Sequence, residues 1–172
     1  MANTWTAWAQ AIAFAANKNM LMILNTGARV LRIRRIGFIN NQTAAVTGVI
    51  CAGEIRRLTG AGLSGHTAIT PLSHDTTNPA LDGVVVGTGG TPTGTAAVIR
   101  RYVWSSDEPA VSAATSDEWE CLVPLNILWD AGYGDSNIQP LTLRQNEALC
   151  IYNITGAAGL VDIWVEFTDE AS

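Results

Sequence analysis

The sequence predicts an all-β fold, and three observations carry the prediction. Residues 161–168 read Val-Asp-Ile-Trp-Val-Glu-Phe-Thr, so that Val161, Ile163, Val165 and Phe167 fall on one face and Asp162, Trp164, Glu166 and Thr168 on the other. A period of two is the mark of a half-buried strand. Second, the remaining apolar segments are short, rich in branched residues and separated by turn formers such as Asn25-Thr-Gly27, Asn40-Asn41, Gly132-Tyr-Gly134-Asp135 and Gly156–Gly159. Third, no 3.6-residue periodicity is sustained beyond residue 16. Eight or more antiparallel strands at this spacing predict a β-sandwich or jelly roll. One domain over residues 1–172 is expected, a length that buries enough surface to need no disulfide or metal.

Taken in order, residues 5–16 fit two descriptions. Trp8, Gln10, Ile12 and Phe14 alternate with alanines as a strand would, whereas Trp5, Trp8 and Ile12 also share a helical face. An extended N-terminal arm over 1–18, or a first strand, is the preferred reading. Strands are then expected within 19–24, 29–40, 44–59, 97–105, 117–124, 140–144, 146–153 and 161–168. Residues 60–96 hold eight of the sixteen glycines and many threonines. They predict one long excursion from the framework, and loops of that length are often functional or ordered by neighbours.

A tetrapeptide pattern recurs three times: Ile33-Arg34-Arg35-Ile36, Ile55-Arg56-Arg57-Leu58 and Ile99-Arg100-Arg101-Tyr102. Residues three apart on a regular strand face opposite sides. Either both faces are covered, or a bulge at the arginines restores the alternation. In both cases an arginine lies near covered surface and needs an acid. Glu118, Glu120, Asp162 and Glu166 are the expected partners.

Composition narrows the function classes. Net charge is −5, which argues against nucleic acid as the main ligand, and only 15% of residues are charged against roughly 25% in average chains. Residues 1–101 hold nine basic groups and three acids, a balance of +6; residues 102–172 hold one base and twelve acids, a balance of −11. Separate basic and acidic regions would explain the split, but pairing of strands from the two ends of the chain is the simpler account. No apolar run approaches the ~18 residues of a membrane helix. Residues 5–16 lack a preceding basic region and are not read as a signal peptide. The widely spaced Cys51, Cys121 and Cys150 read as buried free thiols.

Chemical motifs are few. Ser73-His74-Asp75 has the residue types of a hydrolytic triad, but triad members come from distant segments, and loop hydrogen bonding is the plainer reading. His66, His74 and Asp75 lack metal-ligand spacing. Asp130–Asn137 offers oxygen donors for calcium without the interleaved acids of an EF-hand, and such residues are ordinary in turns. The glycines at 87–94 have no Gly-Lys-Ser/Thr ending to cradle phosphate. Glu118 and Glu120 lie about 7 Å apart on one strand face, a glycosidase separation that surface acids share. Asn41-Gln-Thr43 and Asn153-Ile-Thr155 match glycosylation sequons. No catalytic residue, metal ligand or cofactor is assigned. Of the six tryptophans, Trp104, Trp119 and Trp129 read as core, while Trp5, Trp8 and Trp164 are candidates for subunit or shell contact.

The stretches Asn-Lys-x-Met-Leu (17–21), Leu-Arg-Ile-Arg-Arg-Ile (31–36), Asn-Asn-Gln-Thr-Ala-Ala-Val-Thr-Gly-Val (40–49), Ile-Arg-Arg-Leu-Thr-Gly (55–60) and His-Asp-Thr (74–76) resemble small virion proteins of tailed bacteriophages. Asp-Glu-Pro (107–109), Gly-Tyr-Gly-Asp (132–135), Gln-Pro-Leu-Thr-Leu-Arg (139–144) and Val-Glu-Phe-Thr (165–168) extend the resemblance over nearly the whole chain. It implies a jelly-roll-like capsid cement or decoration protein, often trimeric, that binds the major capsid protein, is made in the host cytoplasm and engages neither nucleic acid nor membrane. A tail-associated module recognising a receptor or glycan is the alternative, and a small hydrolase the third class.

Overall fold

A computed structural model describes residues 2–41, 49–106, 126–131, 139–156 and 159–170. Among these residues ten strands form two antiparallel sheets, a jelly-roll-like sandwich. In the first sheet the order is β5 (Leu72–Ser73), β1 (Asn3–Ala13), β10 (Leu160–Glu170), β3 (Val30–Asn40), and the far edge of β3 pairs with both β7 (Asn126–Asp130) and β8 (Leu141–Leu143). The second sheet closes on itself as β2 (Lys18–Asn25), β6 (Val84–Ser106), β4 (Val49–Ala68) and β9 (Glu147–Asn153).

The alternation at the C-terminus is realised as expected: Val161, Ile163, Val165 and Phe167 are fully buried between the sheets. They pack with Ile33, Ile36 and Phe38 of β3 and with Leu21, Ile55, Leu149 and Ile151 of the second sheet. Phe38 and Tyr102 meet edge to face across the sheets, with ring centroids 5.3 Å apart. A second, smaller cluster of Met22, Leu24, Leu58, Ala148 and Cys150 lies on the opposite face of β2, β4 and β9. Ala61, Leu63 and Val85 cover it, because the long β4–β6 hairpin curls back over that face. The run Asn-Met-Leu-Met-Ile-Leu at 19–24 lacks alternation for this reason: both faces of β2 are buried.

Two expectations change. Residues 60–96 are not one long loop. β4 runs on to Ala68, β6 begins at Val84, and the two pair almost throughout. The glycines bend this hairpin without breaking it. Gly90 and Gly94 have φ of +68° and +114°, and a Cβ on Gly90 would lie 2.5 Å from the Ser64 carbonyl oxygen. A non-glycine residue there would be strained and would clash. Nor do residues 1–18 form an arm. β1 is an inner strand between β10 and β5, which makes the first-strand alternative the correct one. Trp5, Ala7 and Ala9 face the core and Trp8 faces out. A bulge between Ala9 and Ile12, with Ala11 at φ 50°, then resets the phase. The Asp162 carboxylate holds this bulge by accepting from the Ala11 amide at 2.7 Å and from the Asn41 side chain.

Candidate functional site

The arginine pairs resolve in two ways. Register shifts at Arg34 between β3 and β10, where Arg35 pairs with Glu166 and Ile33 with Phe167, so Ile33 and Ile36 both reach the core through a bulge. Ile55 and Leu58 instead sit on a regular stretch facing β9, with Ile55 in the main core and Leu58 in the small one. Among the described residues the arginines use other acids than those expected. Arg34 and Arg32 pair with Glu170, Arg35 with Asp130, and Arg56 and Arg101 with Glu54 at 2.7 and 3.1 Å. Among the described residues Asp162 and Glu166 form no ion pair, Arg100 is exposed without an acid partner, and the buried Nε of Arg57 has none. Glu118 and Glu120 lie outside the described residues, as do Trp119, Cys121 and positions 132–137 of the supposed calcium loop.

Glu54 is the acid that the sequence analysis passed over. It stands two residues before Arg56, so the two share a strand face, and Arg101 is its neighbour across the ladder. Its side chain is 5% exposed. Burial pushes the carboxyl up, but the hydrogen bond and charge of Arg56, joined by those of Arg101, outweigh it and hold the group below the usual carboxylate value. The Arg56 guanidinium also lies 3.8 Å from the centroid of the Tyr152 ring. Arg56 and Tyr152 line a half-open cavity of about 300 Å³, together with Leu58, Ala96, Thr91, Cys150, Asn17, Gly90, Pro92 and Gly94.

A second candidate is the outer face of the first sheet. Trp8 of β1 pairs in register with Trp164 of β10, Trp164 with Gly37 of β3, and Gly37 with Ile127 of β7. The Trp164 indole occupies the space above Gly37, where a Cβ would come within 2.5 Å of the ring. Trp8 is 47% exposed, Ile127 42%, and Leu72 on the adjoining strand β5 is 66% exposed. A wide apolar band therefore faces outward. Trp5, the third candidate tryptophan, does not belong to it: Trp5 is 6% exposed and its Nε1 donates to buried Asp169 at 3.4 Å. Leu72 and Ile127 carried no usable sequence signal, since neither lies in a long alternating run. Along β6, Val98, Ile99 and Val103 are also exposed beside Arg100 and Arg101. Among the described residues Thr95–Ser106 pairs only with β4, leaving its other edge open.

The remaining motifs do not converge. His74 bonds Thr6 Oγ1 through Nε2 at 2.7 Å, whereas Ser73 Oγ donates to the Asp75 carbonyl and Asp75 accepts from the backbone and hydroxyl of Thr77. Among the described residues no three His, Cys, Asp or Glu side chains gather as a metal site would require. Asn153 of the second sequon is fully buried, with its amide donating to Ala15 and Thr155 carbonyls. Cys51 and Cys150 are buried free thiols, and desolvation pushes them up to about 11 and about 12. No helix among the described residues is long and apolar enough to cross a membrane. Comparison with protein-family models, curated proteins and solved structures finds no match to this chain.

Proposed function

We propose that this chain is a non-enzymatic structural protein of a bacteriophage particle, a cement or decoration subunit that binds and stabilises the capsid shell. The observation that carries the reading is the outward apolar band of Trp8, Trp164, Ile127 and Leu72. Monomers seldom leave such a band uncovered, and partners are what cover it. The partly apolar edge of β6, which has no strand partner among the described residues, adds a second surface of the same kind, since unpaired strand edges invite contact. The resemblance of stretches spread over nearly the whole chain, from 17–21 to 165–168, to tailed-phage virion proteins supplies the particle. On this reading the partners are further copies of the chain, a trimer being favoured, and the major capsid protein; its place is the virion after synthesis in the host cytoplasm, without nucleic acid or membrane as ligand.

The in-register Trp8 and Trp164 on an open sheet face also support a second reading, a tail-associated module that binds a receptor or glycan, because sugar rings lie on such platforms. Quantitative mass spectrometry of purified particles tests the first. A copy number in fixed ratio to the major capsid protein is expected; absence from the particle overturns it, and a tail-like stoichiometry favours the second.

A further inference from the structure

We propose that the cavity beside Arg56 and Tyr152 is a binding site for a small carboxylate of sugar-acid size. This goes beyond a structural role and rests on different residues from the outward band. The Arg56 guanidinium is held before any ligand arrives. One side lies on the Tyr152 ring at 3.8 Å, and its Nε is committed to Glu54 at 2.7 Å. Its two Nη groups have no hydrogen-bond partner among the described residues. A guanidinium fixed in this way presents a planar pair of donors that matches the two oxygens of a carboxylate, and little side-chain freedom remains to be lost on binding.

The charge balance favours an anion. Among the described residues Glu54 is the acid paired with this cluster, and two arginines share it, leaving one positive charge in excess. None of the residues walling the cavity is an acid. Its volume of about 300 Å³ stands at the small end for ligand sites, which fits a single ring and not a chain. The wall is mixed in the way a sugar acid needs. Leu58 and Ala96 offer apolar surface to ring C–H groups, and Thr91 and Asn17 offer polar partners to hydroxyls. Cys150 adds no reactive group, because its thiol is protonated at neutral pH and donates to Asn19 Oδ1 at 3.3 Å.

The test is a titration of the full chain followed by NMR, with D-glucuronate as probe and D-glucose, acetate and inorganic phosphate as controls. Glucuronate should shift the signals of Arg56, Thr91 and Tyr152 saturably. Glucose, which lacks the carboxylate, should not. Acetate should bind more weakly at the same signals. Arg56→Lys keeps the charge and loses the fork, and should weaken glucuronate by about tenfold, the factor expected for one lost charge-assisted hydrogen bond. Ala96→Trp, at an exposed wall position, should block binding while leaving the rest of the spectrum in place. No saturable shift with glucuronate, equal binding of glucose, or unchanged affinity in Arg56→Lys in a folded spectrum would each overturn the assignment. Phosphate binding as tightly as glucuronate would overturn the carboxylate class.

Discussion

Truncating Leu58 to alanine probes the least expected feature of the fold, the small core enclosed when the β4–β6 hairpin curls over β2 and β9. Leu58 is 4% exposed and packs with Met22, Leu24, Ala148 and Cys150. Leucine-to-alanine changes in cores cost about 2–5 kcal/mol, the upper end belonging to sites that leave a dry void. Leu58 borders a cavity that already exists, so truncation enlarges an open recess and creates no sealed one. The expected loss is therefore at the low end, about 2–3 kcal/mol. For a chain of this length that is a fall in Tm on the order of 5–10 °C. Urea unfolding at fixed protomer concentration measures it, with Ile55→Val as the reference from the main core, expected to cost about 1 kcal/mol. A Leu58→Ala loss within about 0.5 kcal/mol, the size of an ordinary surface change, would refute the enclosure.

Three further outcomes follow from single sites. Glu54→Gln removes the carboxylate shared by Arg56 and Arg101 and should cost about 1–2 kcal/mol at neutral pH, discounted because Arg101 is largely exposed. The Glu54 carboxyl is held below its ordinary value of 4.5, so its contribution is present above that pH and is lost as pH falls through the folded value; the wild-type chain should lose stability more steeply than Glu54→Gln on acidification, and parallel pH profiles would contradict the pairing. Gly37→Ala places a methyl where the Trp164 indole lies, and because that indole is on the outer face it should swing out at a cost of about 1 kcal/mol, seen as a red shift in tryptophan emission. Cys51 and Cys150, pushed up to about 11 and about 12, should resist alkylation at pH 8 until the chain unfolds, and site-resolved mass spectrometry would expose early labelling.

Much of the sandwich was legible because its signal is local. The alternation of 161–168 and the two-sided run at 19–24 report their own burial. The Ile-Arg-Arg-Ile and Ile-Arg-Arg-Leu patterns announced a bulge or double coverage, and one of each occurs. What escaped depends on distant segments. The glycines of 60–96 look like loop because strand propensity counts them as breakers, whereas here they supply the bends that wrap a hairpin over a second core. Asp162 was not legible as something other than an arginine partner, because alternation gives the face of an acid and not its neighbour across the sheet: Asp162 faces the β1 bulge, whereas Glu54, which pairs with Arg56, lies on the same strand. Trp5 and Trp8 are three apart on one strand and so face opposite ways, which left only Trp8 for the outer surface.

The most direct test of the proposed structural role is the solution mass of the purified chain by light scattering, followed by sedimentation with and without assembled shells from its source. A stable trimer that travels with the shells, and whose retention falls when Trp8 is changed to serine, is the predicted result. A protein whose mass and sedimentation are indifferent to shells would contradict the account.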